Sequence, residues 1–208
     1  FRNYPFSINR QDNLCNTRQI ISMAPREGGF AEYIVMPERN LVSVPDNVAL
    51  TIAALTEPIA CGWHALRKAK AVINKKGQDI RALVIGGGAI GLGAALSCST
   101  QGIKDVVITE PNTLRRKYIE NHCAQLSIDP EQVCPEDFFD LIIDCVGYEN
   151  TRKLASQHAV PGGVIAHIGL GSALGGLDIR RMTLQEITFI GTYTYTDQDF
   201  RDTAQAIF

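Results

Sequence analysis

Three glycines, Gly86, Gly88 and Gly91, follow one another as G-x-G-x-x-G within VIGGGAIGLGAA. The first permits a tight turn, and the second leaves a diphosphate room to reach the backbone. The third lets helix and strand pack closely, with the phosphates at the positive helix N-terminus. Ala89 and Ile90 fill the two positions before Gly91 and belong to the same loop. A glycine-rich turn alone often serves only close packing. Here Glu110 follows Gly91 by 19 residues, at the end of the apolar run DVVIT. A carboxylate at that distance can bridge the hydroxyls of a ribose and would repel a 2′-phosphate. Arg115 and Arg116 come shortly after; either could receive such a phosphate or belong to the solvated face of a helix. The balance favours NAD, with NADP the weaker choice.

Other chemistry-bearing residues are less informative. Glu57, Cys61 and His64 fall one turn apart in EPIACGWHAL, but three ligands on one short helix converge poorly on a metal. Cys61 reads as core and His64 as a packed residue. Glu57, beside Pro58, also suits a helix N-terminus, where negative charge is favourable. His122 and His158 read as surface residues on helices, and His167 lies in a strand. There is no nucleophile elbow and no Cys/His pairing at recognisable spacing. A methyltransferase can place a glycine loop and an acidic residue in the same way. It would then show its own motifs after the fourth strand, where this chain has the small residues of DCVGYEN.

The elements that must hold these residues are legible in the alternation of the chain. RALVIG reads as a strand, AIGLGAALSCSTQG as a helix, DVVIT as a strand and TLRRKYIENHCAQL as a helix. FDLIIDCVG is a further strand, NTRKLASQHAV a helix, and GGVIAHIGL and EITFIGTYTY the last two strands. Short β-branched strands alternating with helices predict an α/β fold with a doubly wound parallel sheet. The segment between the second helix and FDLIID is short, so one crossover helix is expected to be reduced or missing. Before Glu57 the texture is β-type and loop: GGFAEYIVM alternates, and NLVSVPDNV is a short strand stopped by Pro45. The 208 residues allow one large domain or one domain plus part of another. A net charge of −2 without a basic stripe makes nucleic acid or an anionic membrane a poor partner. No stretch has the roughly 18 unbroken apolar residues of a spanning helix. Six scattered cysteines without a C-x-x-C point to reduced, buried thiols in a cytoplasmic protein.

GGFAEYIVMPERNLVSVPD, AALTEPIACGWHAL, ALVIGGGAIGL, FDLIIDCVG, and PGGVIAHIGL followed by EITFIGTYTYTDQDF occur in one order across nearly the whole chain. Together they resemble the medium-chain dehydrogenases/reductases, and within them the zinc-dependent alcohol, polyol and threonine dehydrogenase branch. The resemblance implies residues 1–57 as the end of a β-rich, GroES-like catalytic domain and 58–195 as a Rossmann dinucleotide-binding domain. Residues 196–208 would begin the return to the catalytic domain. It implies NAD held by Gly86, Gly88, Ala89, Ile90, Gly91, Glu110 and Arg115. Val146, Gly147, Leu170 and Gly171 would lie near the nicotinamide, and Glu57 would stand near a catalytic zinc.

In that family four cysteines spaced C-x2-C-x2-C-x7-C hold a structural zinc. Only Cys15 matches, while Ser7, Tyr4 and Phe1 occupy the other positions. One thiolate cannot close a tetrahedral site, so the lobe is expected without its metal, held instead by packing of Phe1, Tyr4 and Phe6. The family's main catalytic zinc ligands lie upstream of this lobe. The expectation is therefore a fragment without catalytic residues of its own, inactive alone. Its parent would oxidise a secondary alcohol, polyol or sugar alcohol by zinc-assisted hydride transfer to NAD. A homodimer or homotetramer would form through EITFIGTYTY. The alternatives are a nucleotide-binding and dimerisation module without catalysis, or a zinc-free quinone-reductase-type member.

Overall fold

The computed structural model describes residues 11–208, so the positions Phe1, Tyr4, Phe6 and Ser7 lie outside the described residues. The chain divides into two compact units. One comprises the described residues through Thr56 together with Thr194–Phe208, and the other is Glu57–Tyr193.

The first unit corrects an expectation. GGFAEYIVM and NLVSVPDNV form no strands; the region holds 3₁₀ turns at Asp12–Leu14 and Glu38–Asn40 and one helical turn, α1 (Leu50–Ala53). No distinct β-rich domain is present among the described residues. The physical reason is that alternation supplies only the side chains of a strand. The ladder needs a partner, and here the backbone bonds are local, such as Ser22 N–H to Glu27 O at 3.3 Å and Asn40 N–H to Pro37 O at 2.9 Å. Phe30, Tyr33 and Val35 are accordingly exposed.

The second unit is the alternating one. Its elements are α2 (Thr56–Lys70), β1 (Arg81–Ile85), α3 (Ala89–Thr100), β2 (Asp105–Thr109), α4 (Thr113–Cys123) and β3 (Leu126–Ile128). They continue with β4 (Phe139–Asp144), α5 (Glu149–His158), β5 (Ala159–His167), α6 (Ile179–Leu184) and β6 (Thr188–Gly191). The strands form one sheet in the order β3-β2-β1-β4-β5-β6, parallel throughout. This is the order of two mononucleotide-binding halves joined at β1/β4. The expected shortage of a crossover helix is met: between β3 and β4 there is only a 3₁₀ turn at Pro130–Gln132, capped by Asp129.

Both faces of the sheet are covered, which is why its strands read as unbroken apolar runs. Ala82, Val84, Leu141 and Ile143 face Leu66, Ala94, Ala95 and Ile119 on one side. Leu83, Ile85, Ile142 and Ile165 meet Ala155 and Ile187 on the other. Asp140, buried within β4, is matched by Lys75 Nζ at 2.6 Å and the Arg81 N–H at 3.0 Å, as a buried carboxylate requires.

The chain ends in α7 (Asp197–Ile207), which belongs to the first unit. There the Thr196 hydroxyl accepts from the Asp199 N–H at 3.2 Å, and the Asp199 carboxylate accepts from the Thr196 N–H at 3.0 Å. No helix among the described residues is long and apolar enough to cross a membrane.

Candidate functional site

β1 and β4 lie side by side, but their connections leave in opposite directions, β1 towards β2 and β4 towards β5. A crevice opens between such connections at the carboxyl ends of the strands. Gly86 leaves β1 with φ +99°, and its N–H donates to Thr109 O at 2.8 Å. A Cβ there would stand 2.6 Å from Val146 Cγ2, and one on Gly91 would stand 1.7 Å from Gly86 O. The chain's own packing therefore demands these two glycines. Gly88 differs: it caps α3 with extended backbone, and a Cβ on it would meet nothing within 4 Å. It faces open space at the N-terminus of α3, where Ala89, Ile90 and Gly91 present N–H groups that lack an acceptor within the helix.

Glu110 closes this end of the crevice. It is 4% exposed. Its Oε2 accepts from the Gly87 N–H at 2.9 Å and its Oε1 from the Asn112 N–H at 2.9 Å. Two bonds fix the carboxylate against the glycine turn, and each oxygen keeps a second lone pair for an incoming hydroxyl. Gly87, between the motif glycines, has its own reason: a Cβ there would meet Glu110 Cβ at 2.9 Å. Arg115 is exposed, with Nη1 3.6 Å from Glu110 Oε2. Arg116 is occupied by its own turn, bonding Glu110 O at 2.6 Å and Asp129 Oδ2 at 2.9 Å.

The other end is organised by Asp144, which sequence reasoning missed. It is fully buried. Oδ1 accepts from the N–H groups of Val146 at 3.0 Å and Gly147 at 2.9 Å, and Oδ2 accepts from the Thr151 hydroxyl at 3.0 Å. The available signal was a charged residue closing the apolar strand FDLIID. Gly147, at φ +76°, would place a Cβ 2.3 Å from Gly169 O, so the β4 and β5 exits touch backbone to backbone. Leu170 and Gly171 follow in an exposed loop, and a Cβ on Gly171 would collide with the Tyr148 ring at 2.7 Å. His167, at the end of β5, holds Nε2 3.6 Å from Asp144 Oδ2, and that buried nitrogen has no hydrogen-bond partner. Burial lowers its pKa below the ordinary histidine value; the Asp144 charge opposes that shift and Arg152 adds to it.

The remaining candidates do not join this crevice into a metal centre. Among the described residues no group of three His, Cys, Asp or Glu side chains could hold a metal ion. Glu57 is exposed in the first turn of α2, and a single carboxylate does not make a zinc site. Burial pushes the Cys61 thiol up to about 11, aided by the Glu57 charge, and Cys98 to about 12. Cys145 is raised well above the usual range, again chiefly by burial. These thiols stay protonated and poor as ligands or nucleophiles. Cys15 is buried, with Sγ 3.3 Å from Thr17 Oγ1, whereas Cys134 is exposed. His64 is buried, its Nδ1 3.1 Å from Arg67 Nη2. His122 is exposed, but His158 is buried, with Nδ1 2.7 Å from Asp137 O, which corrects the surface reading. α5 carries it inward because its buried face includes Arg152, Ala155 and Ser156.

A family model described as zinc-binding dehydrogenase matches residues 89–208. The chain is 34% identical over 208 residues to a probable diacetyl reductase, (R)-acetoin forming, of Saccharomyces cerevisiae, covering 94% of this chain and 49% of that protein. In structure it is similar to L-idonate 5-dehydrogenase from Escherichia coli, with a TM-score of 0.89 and 19% identity, over 100% of this chain and 61% of that one. It is also similar to an E. coli protein described as a short chain alcohol dehydrogenase in complex with NADH. There the TM-score is 0.87 at 20% identity, over 99% of this chain and 61% of that one. The chain spans about half the length of the curated relatives it matches.

Proposed function

Because the chain belongs to the zinc-binding dehydrogenase family, we propose that it forms the cofactor-binding region of an NAD-linked oxidoreductase acting on a secondary alcohol, polyol or sugar alcohol. One observation carries the reading: Gly88 faces open space at the N-terminus of α3, directly beside the fixed carboxylate of Glu110. An orphaned buried nitrogen on His167 at the other end of the crevice fits a site that awaits a polar partner. The substrate class is drawn from relatives whose names are those of a diacetyl reductase, a butanediol dehydrogenase and a sorbitol dehydrogenase.

In this reading the N–H groups of the first turn of α3 bind the diphosphate. Glu110 orients the adenosine ribose through its two hydroxyls and disfavours a 2′-phosphate. Val146, Gly147, Leu170 and Gly171 shape the opposite end and keep water from the reacting face. The nicotinamide, when bound, supplies the hydride chemistry. The described residues do not fit a zinc centre, and Glu57 alone could contribute one ligand.

The test is a titration of the chain with NADH and NADPH. NADH should bind at least about tenfold more tightly, a difference of about 1.4 kcal/mol. Glu110→Ala should weaken NADH and narrow the ratio. Loss of the bonds to Gly87 and Asn112 would weaken both cofactors alike, so the ratio isolates recognition of the ribose. Equal binding of the two by the unaltered chain would sink the assignment.

A further inference from the structure

Arg152 lies in α5 and is 6% exposed. Its Nε donates to Gly175 O at 2.6 Å, and its Nη1 to Gly147 O at 2.8 Å and Ser172 O at 2.9 Å. Its Nη2 donates to Leu174 O. All four acceptors are backbone carbonyls. Burying a guanidinium is costly unless its donors are satisfied, and an apolar side chain would pack this helix at less expense. What an arginine adds is a rigid fork with donors in fixed directions. Here the fork ties the turn after β4 to three carbonyls of the glycine loop after β5.

The start of that loop is also held by backbone bonds, Gly171 N–H to Val146 O at 3.1 Å and Ser172 N–H to Gly147 O at 2.8 Å, but its side chains add little. Leu170 and Leu174 are 86% and 80% exposed, so they provide no core of their own. Gly171 lies against the Tyr148 ring, and Gly176 lies so close to Glu149 that a Cβ would fall 2.2 Å from its carbonyl oxygen. The loop thus rests on α5 through its backbone, and Arg152 is the side chain that gathers its carbonyls.

We propose that Arg152 is a positioning residue: through the carbonyls of Gly147, Ser172, Leu174 and Gly175 it holds the loop Gly169–Gly176 in the shape that receives the nicotinamide half of the cofactor. The proposal rests on the cofactor reading above and goes beyond it. Arg152 itself does not touch the ligand. Its effect is preorganisation, which removes the cost of ordering a loop on binding.

The experiment compares NADH with ADP-ribose, which keeps the diphosphate and adenosine but lacks nicotinamide. In the unaltered chain NADH should bind more tightly than ADP-ribose. In Arg152→Met the NADH affinity should fall about tenfold, while ADP-ribose stays within about twofold, because the glycine turn and Glu110 are untouched. Arg152→Lys should recover only part of the loss, since an ammonium cannot reproduce the fork. If Arg152→Met does not fold, Arg152→Lys carries the same comparison with a smaller expected effect. Independently of any ligand, thermolysin should cut at Leu170 or Leu174 faster in the variants than in the unaltered chain. Equal loss of both ligands, an unchanged NADH affinity or unchanged cleavage would overturn the proposal. Failure of the unaltered chain to bind either ligand would instead overturn the cofactor reading on which it stands.

Discussion

His167 shows what a single side chain contributes here. Burial lowers its proton affinity, the adjacent Asp144 charge works against that, and Arg152 works with it. A histidine whose folded pKa lies below its unfolded value, about 6.5, favours the native state in its neutral form. Its contribution is fully present above about pH 6.5 and is lost as pH falls through the folded value, because the unfolded chain then binds the extra proton. Urea midpoints measured from pH 7.5 down to 5 should therefore decline for the unaltered chain, and decline less steeply for His167→Gln. Parallel profiles would show that His167 is not the group responsible. The role of Asp144, which faces His167, was not legible in the sequence because its bonds run to Val146, Gly147 and Thr151, a turn whose shape no local pattern announces; only its charge at the end of FDLIID stood out. Glu110 was legible for the opposite reason: its distance from the glycine loop is set by one helix and one strand of ordinary length. Arg152 was illegible because three of its four acceptors lie 20 or more residues away in the glycine loop.

Among the elements, the turn from β1 into α3 separates two uses of glycine that look identical in G-x-G-x-x-G. A Cβ on Gly91 would meet Gly86 O at 1.7 Å, backbone against backbone, so Gly91→Ala must push α3 off the sheet. Chemical denaturation should show a loss of about 3 kcal/mol, the upper end of the over-packing range. Gly88→Ala meets nothing, and its φ of −75° suits any residue. Its stability should stay within about 1 kcal/mol of the parent, while NADH binding falls at least about tenfold because the methyl fills the space left for phosphate. If Gly88→Ala binds NADH normally, the diphosphate does not sit at this turn. The same scale shows why the parallel sheet was readable and the first unit was not. RALVI, DVVIT and FDLIID are apolar on both faces and bounded by breakers, so their strand character is written locally. LSI, at three residues, is too short to announce β3. GGFAEYIVM alternates as a strand should, yet pairing is a long-range property, and none of its neighbours among the described residues offers a ladder.

For the molecule as a whole, the question is whether a metal contributes to holding it folded. Where the family has four cysteines this chain has one, and Cys15 is hydrogen-bonded to Thr17 rather than grouped with other donors among the described residues. A structural zinc contributes on the order of 10 kcal/mol to the fold that binds it, so its removal is hard to miss. The large apolar core lies elsewhere, on the two faces of the sheet in Glu57–Tyr193, and needs no ion. Thermal melting of the chain in excess EDTA should accordingly superimpose on melting without it, within about 1 °C. A shift of that size corresponds to no more than a few tenths of a kcal/mol in a chain of this length. NADH binding should likewise be indifferent to the chelator, since in the proposed reading Gly88 and Glu110 would engage the cofactor without a metal. A melting temperature that drops on chelation and returns with added zinc would mean that donors beyond Cys15 assemble a site after all, and the expected metal-free lobe would have to be abandoned.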